Sequence, residues 1–306
     1  MTKNRNNMSD KNPFISIIGP AHNEEGTIIS YVEECIEALN YTNFSYEIIL
    51  INDGSNDKTK EVMKEIKNRY PSLIRIINFR FNKGLTQALK AGFESSSGDF
   101  IIWLCTDLEC SPTNDIPKLI DPLLNGYDVV AGERIGRNDG KVFTSFIYNF
   151  VSFLLFGTQG KDLNWVKSFK RECLNSLTLR SDWHRFIIHM LQKDRWNIKY
   201  VDLPWRKRIS GKSKYGFKRI ITSLLDVIAL YFLLKARESP LRSFGMMAFL
   251  IFIVATIIQI FLLGLYISLA WQIRPLFLLS IALDIFSLQL FIFGLLGELI
   301  ADNNKN

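Results

Sequence analysis

Two apolar runs near the end of the chain constrain its architecture more than any other feature. Phe244 to Ala270 carries no charged side chain, and Leu276 to Leu296 carries only Asp284. At about 1.5 Å per helical residue, each is long enough to cross a hydrocarbon core of about 30 Å. The bland alternative is a pair of core helices in a soluble protein. Only WQIRP separates the runs, however, and a chain of 306 residues cannot hide both. They read as a transmembrane hairpin over about 244–270 and 276–297, within a membrane segment 244–300. Lys235, Arg237 and Arg242 precede the first run, whereas the loop between the runs holds only Arg274. Basic residues favour the cytoplasmic side, so both termini and everything before the hairpin are expected in the cytoplasm. The expected location is the cytoplasmic (inner) membrane, as a multi-pass protein. Residues 1–12 are polar, lack the apolar core of a signal peptide and read as a flexible tail, as do residues 301–306.

Ahead of the hairpin the pattern is different. FISIIGP (14–20), EIILIND (47–53), IRIINF (74–79), FIIWLCTD (100–107) and DVVAGE (128–133) read as strands buried on both faces. Between them, Glu24–Leu39, Lys58–Arg69, Leu85–Ser95 and Asp115–Leu124 have helical spacing. Such alternation predicts an α/β fold with a mostly parallel sheet and flanking helices, over residues 13–210. In these sheets ligands bind beyond the carboxyl ends of the strands. That rule gathers PAHNEE (20–25), NDGSND (52–57) and CTDLECS (105–111) on one rim.

Asp107 and Glu109 offer two hard oxygen ligands after a buried strand, suited to Mg²⁺ or Mn²⁺ bridging a diphosphate. Taken alone, acids at a strand end are usually just solvated, and NDGSND alone is usually a plain turn. Past Thr144 the sequence becomes irregular and aromatic, then basic: WRKRISGKSKYGFKR (205–219) holds seven Lys or Arg residues. Residues 211–243 read as basic juxtamembrane and interfacial segments, with IITSLLDVIALYFLLK too short for a span and suited to the membrane interface. Beside a membrane anchor, the formal net charge of +7 points to anionic lipid or a phosphorylated substrate. A nucleic-acid role is not expected, because the aromatics in the basic run do not interleave as a stacking platform. Cys35, Cys105, Cys110 and Cys173 lack metal-type spacing and fit a reducing compartment.

With PAHNEEGTI and NKGLTQALKAG added, the ordered set resembles glycosyltransferase family 2: Pro20–Glu25, Asn52–Ser55, Asn82–Gly84 and Cys105–Asp107. GERIGRND, KDLNWVKSFKRE, RKRISGKSKYG and LQLFIFGLLGELIA extend the resemblance to polyprenyl-phosphate glycosyltransferases similar to dolichol-phosphate mannose synthase. Within that group it is similar to the bacterial members with two C-terminal spans. The resemblance covers roughly residues 13–300. It implies a GT-A fold and inverting transfer of a single sugar from a nucleotide-diphosphate donor, UDP-linked by expectation, to polyprenyl (undecaprenyl-type) phosphate. Carried over by position, Pro20, Ala21, Asn23, Glu25, Asn52, Asp53 and Lys83 would line the nucleotide pocket. Asp107 and Glu109 would hold Mg²⁺ or Mn²⁺. Arg134, Arg137, Arg208, Ser213 and Lys214 would face the acceptor phosphate or donor diphosphate, and Asp162 matches a further family acid. A homo-oligomer is also an expectation from the resemblance.

Two positions depart from the family pattern. Cys105 stands where the leading acid of the D-x-D motif is usual, and Asn52 replaces the first Asp of D-D-G-S. A neutral thiol is a poor ligand for Mg²⁺. A catalytically degraded nucleotide-sugar-binding relative therefore stays open as a second reading. QKDRW (192–196) also matches a Q-x-x-R-W string of processive polysaccharide synthases, but only two spans follow it.

Overall fold

The computed structural model describes residues 12–40, 42–136, 142–158, 160, 162–180, 182–207, 227, 229–231, 239–269 and 274–303. The chain divides into two compact units, Met1–Ile220 and Ile221–Asn306. In the first, β1 (Ile15–Ala21), β2 (Tyr46–Asn52), β3 (Ile74–Asn78) and β4 (Phe100–Trp103) alternate with α1 (Ile28–Asn40), α2 (Thr59–Arg69) and α3 (Leu85–Ser95). Then come α4 (Pro112–Leu124), β5 (Val129–Ile135), α5 (Val142–Phe156), β6 (Lys167–Lys170), α6 (Ile187–Lys193) and β7 (Ile198–Pro204), with two short 3-10 turns at Arg171–Ser176 and Trp183–Phe186. The strands form one sheet in the order β3-β2-β1-β4-β6-β5-β7. Every pairing is parallel except those of β6, which runs antiparallel to β4 and β5.

The β-branched strands explain the layering. Ile15, Ile17, Ile48 and Leu50 are buried in the core that α1, α2 and α4 cover. Ile18 and Ile51 point the other way, and a Cβ added at Gly92 of α3 would stand 2.5 Å from Ile18 and 3.0 Å from Ile51. Burial on both faces is what makes these strands continuous apolar runs.

Element boundaries move where side chains compete with the backbone. α1 begins at Ile28, four residues past the expected Glu24. Asn23 is left-handed (φ 59°), and the amides of Glu24 and Glu25 donate to Thr59 Oγ1 (2.8 Å) and Asp57 Oδ2 (3.3 Å). β4 ends at Trp103 rather than Asp107, where its pairings with β1 and β6 end, and the loop beyond turns through a left-handed Leu108 (φ 55°). α4 starts earlier than Asp115, at Pro112, whose missing N–H costs nothing in a first turn. The irregular aromatic stretch after Thr144 lies largely within α5.

In the second unit, α7 (Pro240–Leu269) and α8 (Arg274–Asn303) are 30 residues each and long and apolar enough to cross a membrane. Asp284 meets a partner inside the hairpin: Gln259 Nε2 donates to its carboxylate. Ser287 Oγ donates to Ala248 O (2.8 Å), and Glu298 accepts the Leu241 amide (3.0 Å). The segment expected at the membrane interface lies outside the described residues, apart from Val227 and residues 229–231, which are helical.

Candidate active site

The carboxyl edge of the sheet is held by hydrogen bonds that run between loops. At the end of β2, Asn52 Oδ1 accepts the Ser55 amide (3.0 Å), and its Nδ2 donates to Asn78 (3.1 Å). Asp53 is buried, and its two oxygens accept the amides of Lys83 (2.7 Å) and Gly84 (3.0 Å). Asn23 Oδ1 accepts the Asn56 amide (2.8 Å), Glu25 accepts the Lys58 amide (2.8 Å), and Thr106 Oγ1 donates to Pro20 O (2.8 Å). The structure thus brings Pro20, Asn23, Glu25, Asn52, Asp53 and Lys83 onto one edge. The side chains of Asn23, Glu25 and Asp53 are bound there to neighbouring loops.

Gly54 makes this packing possible. Its φ is +62°, and an added Cβ would lie 2.3 Å from Phe81 C and 2.4 Å from Asn82 N. Gly54→Ala is expected to cost about 2 kcal/mol or more, since both the dihedral and the contact oppose a side chain. Thermal unfolding of the purified protein checks this, and an unchanged Tm contradicts it.

On the other side, Asp107 Oδ1 accepts the Glu109 amide (3.2 Å), fixing the loop after β4. Arg134, near the end of β5, donates twice to Asp162: Nε to Oδ2, and a terminal nitrogen to Oδ1 at 3.0 Å. Its other terminal nitrogen lies 3.8 Å from Glu109 Oε2, and its guanidinium sits 5.4 Å from the Trp165 ring centroid. Asp107, Glu109, Arg134 and Asp162 therefore form one constellation. The chain leaving β7 passes it, as the Arg206 amide donates to Glu109 O (2.9 Å). Arg206 itself binds Glu34 at 3.0 and 3.1 Å. Arg137, Arg208, Ser213 and Lys214 lie outside the described residues.

Among the described residues no group of three or more His, Cys, Asp or Glu side chains is placed to hold a metal ion. Two adjacent carboxylates nevertheless fit a hard divalent cation that takes its remaining ligands from phosphate and water. Cys105 does not join them as a thiolate. A hydrogen bond with Cys110, burial and the Asp107 charge all push its thiol well up.

Sequence reasoning missed Lys167. It is 1% exposed at the start of β6, donates to Trp165 O (2.6 Å) and lies 4.8 Å from the Trp103 ring centroid. Burial pushes its ammonium down to about 7, against the opposing pull of Asp162. The available signal was a lysine at the centre of WVKSF, where a strand residue would be apolar. Of the histidines, His184 Nδ1 meets Thr86 Oγ1 (2.8 Å), and burial lowers His189 to about 3. QKDRW lies at the opposite edge of the sheet. There Asn197 O accepts the amides of Asp128 and Val129 (2.9 and 3.1 Å), and Trp196 Nε1 donates to Ser176 (2.8 Å).

The family model described as "Glycosyl transferase family 2" matches residues 16–186. The chain belongs to glycosyl transferase family 2. As a family 2 glycosyltransferase it is an enzyme, and its matched region spans the rim loops and the Arg134–Asp162 pair. The undecaprenyl-phosphate 4-deoxy-4-formamido-L-arabinose transferase of Edwardsiella ictaluri is 26% identical over 294 residues, covering 94% of this chain and 88% of the relative. The enzyme of the same name from Pseudomonas aeruginosa is 27% identical over 291 residues, covering 93% and 84%. Among solved structures, glucosyl-3-phosphoglycerate synthase from Mycobacterium tuberculosis, in complex with Mn²⁺, uridine-diphosphate-glucose and phosphoglyceric acid, superposes with a TM-score of 0.56. It is 22% identical, over 72% of this chain and 79% of that one. This family 2 glycosyltransferase thus shares the GT-A-type sheet, to which its sequence adds two long apolar C-terminal helices.

Proposed function

We propose that the protein transfers one sugar from a nucleotide-diphosphate donor, UDP-linked, to a polyprenyl phosphate of the undecaprenyl type at the cytoplasmic face of the inner membrane, inverting the anomeric centre. The observation that carries this reading is the meeting of Asp107, Glu109, Arg134 and Asp162 beside the bound loops of the rim. Curated relatives that share nearly the whole length, apolar helices included, carry undecaprenyl-phosphate transferase names. Lys235, Arg237 and Arg242 before the hairpin support cytoplasmic termini. In domain terms, 13–210 is the transferase domain, 211–243 the juxtamembrane segment and 244–300 the hairpin.

A lipid monophosphate is largely dianionic at neutral pH, its second pKa being about 6, so it needs little help as a nucleophile. One of its oxygens attacks the anomeric carbon as the bond to the nucleotide diphosphate breaks, and in-line attack inverts the centre. The obstacle is bringing two polyanions together. Arg134, oriented by Asp162, offers a fixed guanidinium for phosphate oxygens. Arg137, Arg208, Ser213 and Lys214 add cations and a hydroxyl on the acceptor side. Pro20, Ala21, Asn23, Glu25, Asn52, Asp53 and Lys83 bound the nucleotide, several of them by fixing the loops that touch it. Asp107 and Glu109 would hold Mg²⁺ or Mn²⁺, which when bound supplies Lewis-acid stabilisation of the leaving diphosphate.

The test is incubation of the purified protein with labelled nucleotide sugars, polyprenyl phosphate and Mg²⁺ or Mn²⁺. A donor panel that includes UDP-linked 4-deoxy-4-formamido-L-arabinose is expected to yield one labelled, chloroform-extractable lipid. If no donor yields labelled lipid, the reading fails. Cys105 sustains the second reading, a binding relative without turnover. Calorimetry showing donor affinity independent of metal, together with no product, favours it.

A further inference from the structure

We propose that Arg206 is a positioning residue: it clasps the start of the basic run to the loop carrying Asp107 and Glu109, and so sets where the acceptor phosphate is received. Three separate elements meet on it. One terminal guanidinium nitrogen donates to both carboxylate oxygens of Glu34 on α1 (3.0 and 3.1 Å), and the other donates to Ser111 Oγ. The Arg206 amide donates to Glu109 O (2.9 Å). Glu34 and Ser111 lie 172 and 95 positions away along the chain. Ser111 is itself held in place. It stands at the N-cap position of α4, its hydroxyl accepts from Asn114 Nδ2 (2.9 Å), and its amide donates to Asp115 Oδ2 (2.8 Å).

The bland alternative is a surface ion pair, which contributes little to stability by itself. Two features argue for more. The charge of Arg206 is already matched by Glu34, so this guanidinium is poorly placed to grip a phosphate and well placed to hold the chain. The bonds also converge on the stretch that joins β7 to the basic run. Past the Trp205 amide, which donates to Ile135 O (3.1 Å), the described part of that stretch is tied through Arg206. The loop after β4 keeps its shape by other bonds: Thr106 to Pro20 O, the Glu109 amide to Asp107, and the Ser111 amide to Asp115. What the guanidinium fixes is therefore the chain leaving β7. Arg208, the first of the residues assigned above to the acceptor side, follows two positions later. A chain left free at this point has to be ordered when the acceptor binds, and that lost entropy lowers the affinity. The consequence for the acceptor rests on the proposed function; the clasp itself does not.

The test compares the full chain with Arg206→Ala and Glu34→Ala, each reconstituted in phospholipid vesicles containing polyprenyl phosphate. In Arg206→Ala the KM for the lipid acceptor is expected to rise about tenfold with kcat retained. Donor affinity, measured by calorimetry, is expected to stay unchanged. Glu34→Ala decides between holding the chain and gripping the phosphate, because Glu34 is on α1 and has no assigned contact with either substrate. A positioning role raises its acceptor KM too, by about threefold. A phosphate-gripping guanidinium, released from its counter-charge, would lower it. An unchanged or lowered KM in either variant, or an equal loss of donor affinity in Arg206→Ala, overturns the proposal. Hydrogen exchange followed by mass spectrometry reads the clasp without turnover. The peptide containing the Arg206 amide is expected to exchange faster in both variants, and unchanged exchange overturns the clasp. If the unmodified protein transfers no sugar to polyprenyl phosphate, the proposed function fails, while exchange still reports on Arg206.

Discussion

Replacing Asp107 with alanine is expected to lower sugar transfer by about 10²–10³-fold or more while leaving the fold intact. The carboxylate stands on the loop after β4, and with Glu109 it makes the acidic pair proposed to hold a divalent cation. Removing it takes away one of two charges at the point where the leaving group gains its own. Asp107→Asn separates chemistry from loop geometry. The amide oxygen can still accept the Glu109 N–H, now 3.2 Å from Oδ1, but the charge is gone. Both variants are expected to fall together in turnover and to lose Mn²⁺-dependent donor binding by calorimetry, with an unchanged circular dichroism spectrum. Wild-type turnover in the alanine variant would remove Asp107 from the reaction.

Arg134→Ala is the second large effect, and it acts on two levels. Arg134 and Asp162 have side chains only 12% and 13% exposed, so losing the guanidinium leaves a buried carboxylate without its bidentate partner. Breaking such a pair costs about 3–5 kcal/mol. Activity is expected to fall by about 10²–10³-fold, because the cation proposed to meet the phosphates is lost as well. The double variant Arg134→Ala/Asp162→Ala tells the two levels apart. It removes the stranded charge, so thermal stability should largely return while transfer stays low. Recovery of activity along with stability would mean that Arg134 serves only the fold.

The parallel layers were legible because β1, β2 and β4 are buried on both faces and read as unbroken apolar runs ending in polar loops. β6 was not legible. It is four residues long and carries Lys167 at its first position, so neither length nor alternation marks it. α5 was obscured by phenylalanines that break a clear polar side. The rim was legible as three loops but not as a bonded structure. Asp53 reaches Lys83 and Glu25 reaches Lys58, contacts between residues 30 and 33 positions apart that no local pattern encodes. For the same reason Glu109 could be read as a metal ligand while its approach to Arg134 could not be foreseen.

The two amides held by Asp53 have a kinetic consequence. With Lys83 and Gly84 tied to the end of β2, and Asn23 and Glu25 tied to Asn56 and Lys58, the ordering of this edge is complete when the chain folds. If a nucleotide binds at this edge, as proposed, little of its contact energy would be spent on ordering these loops, and its association would be limited by encounter and orientation.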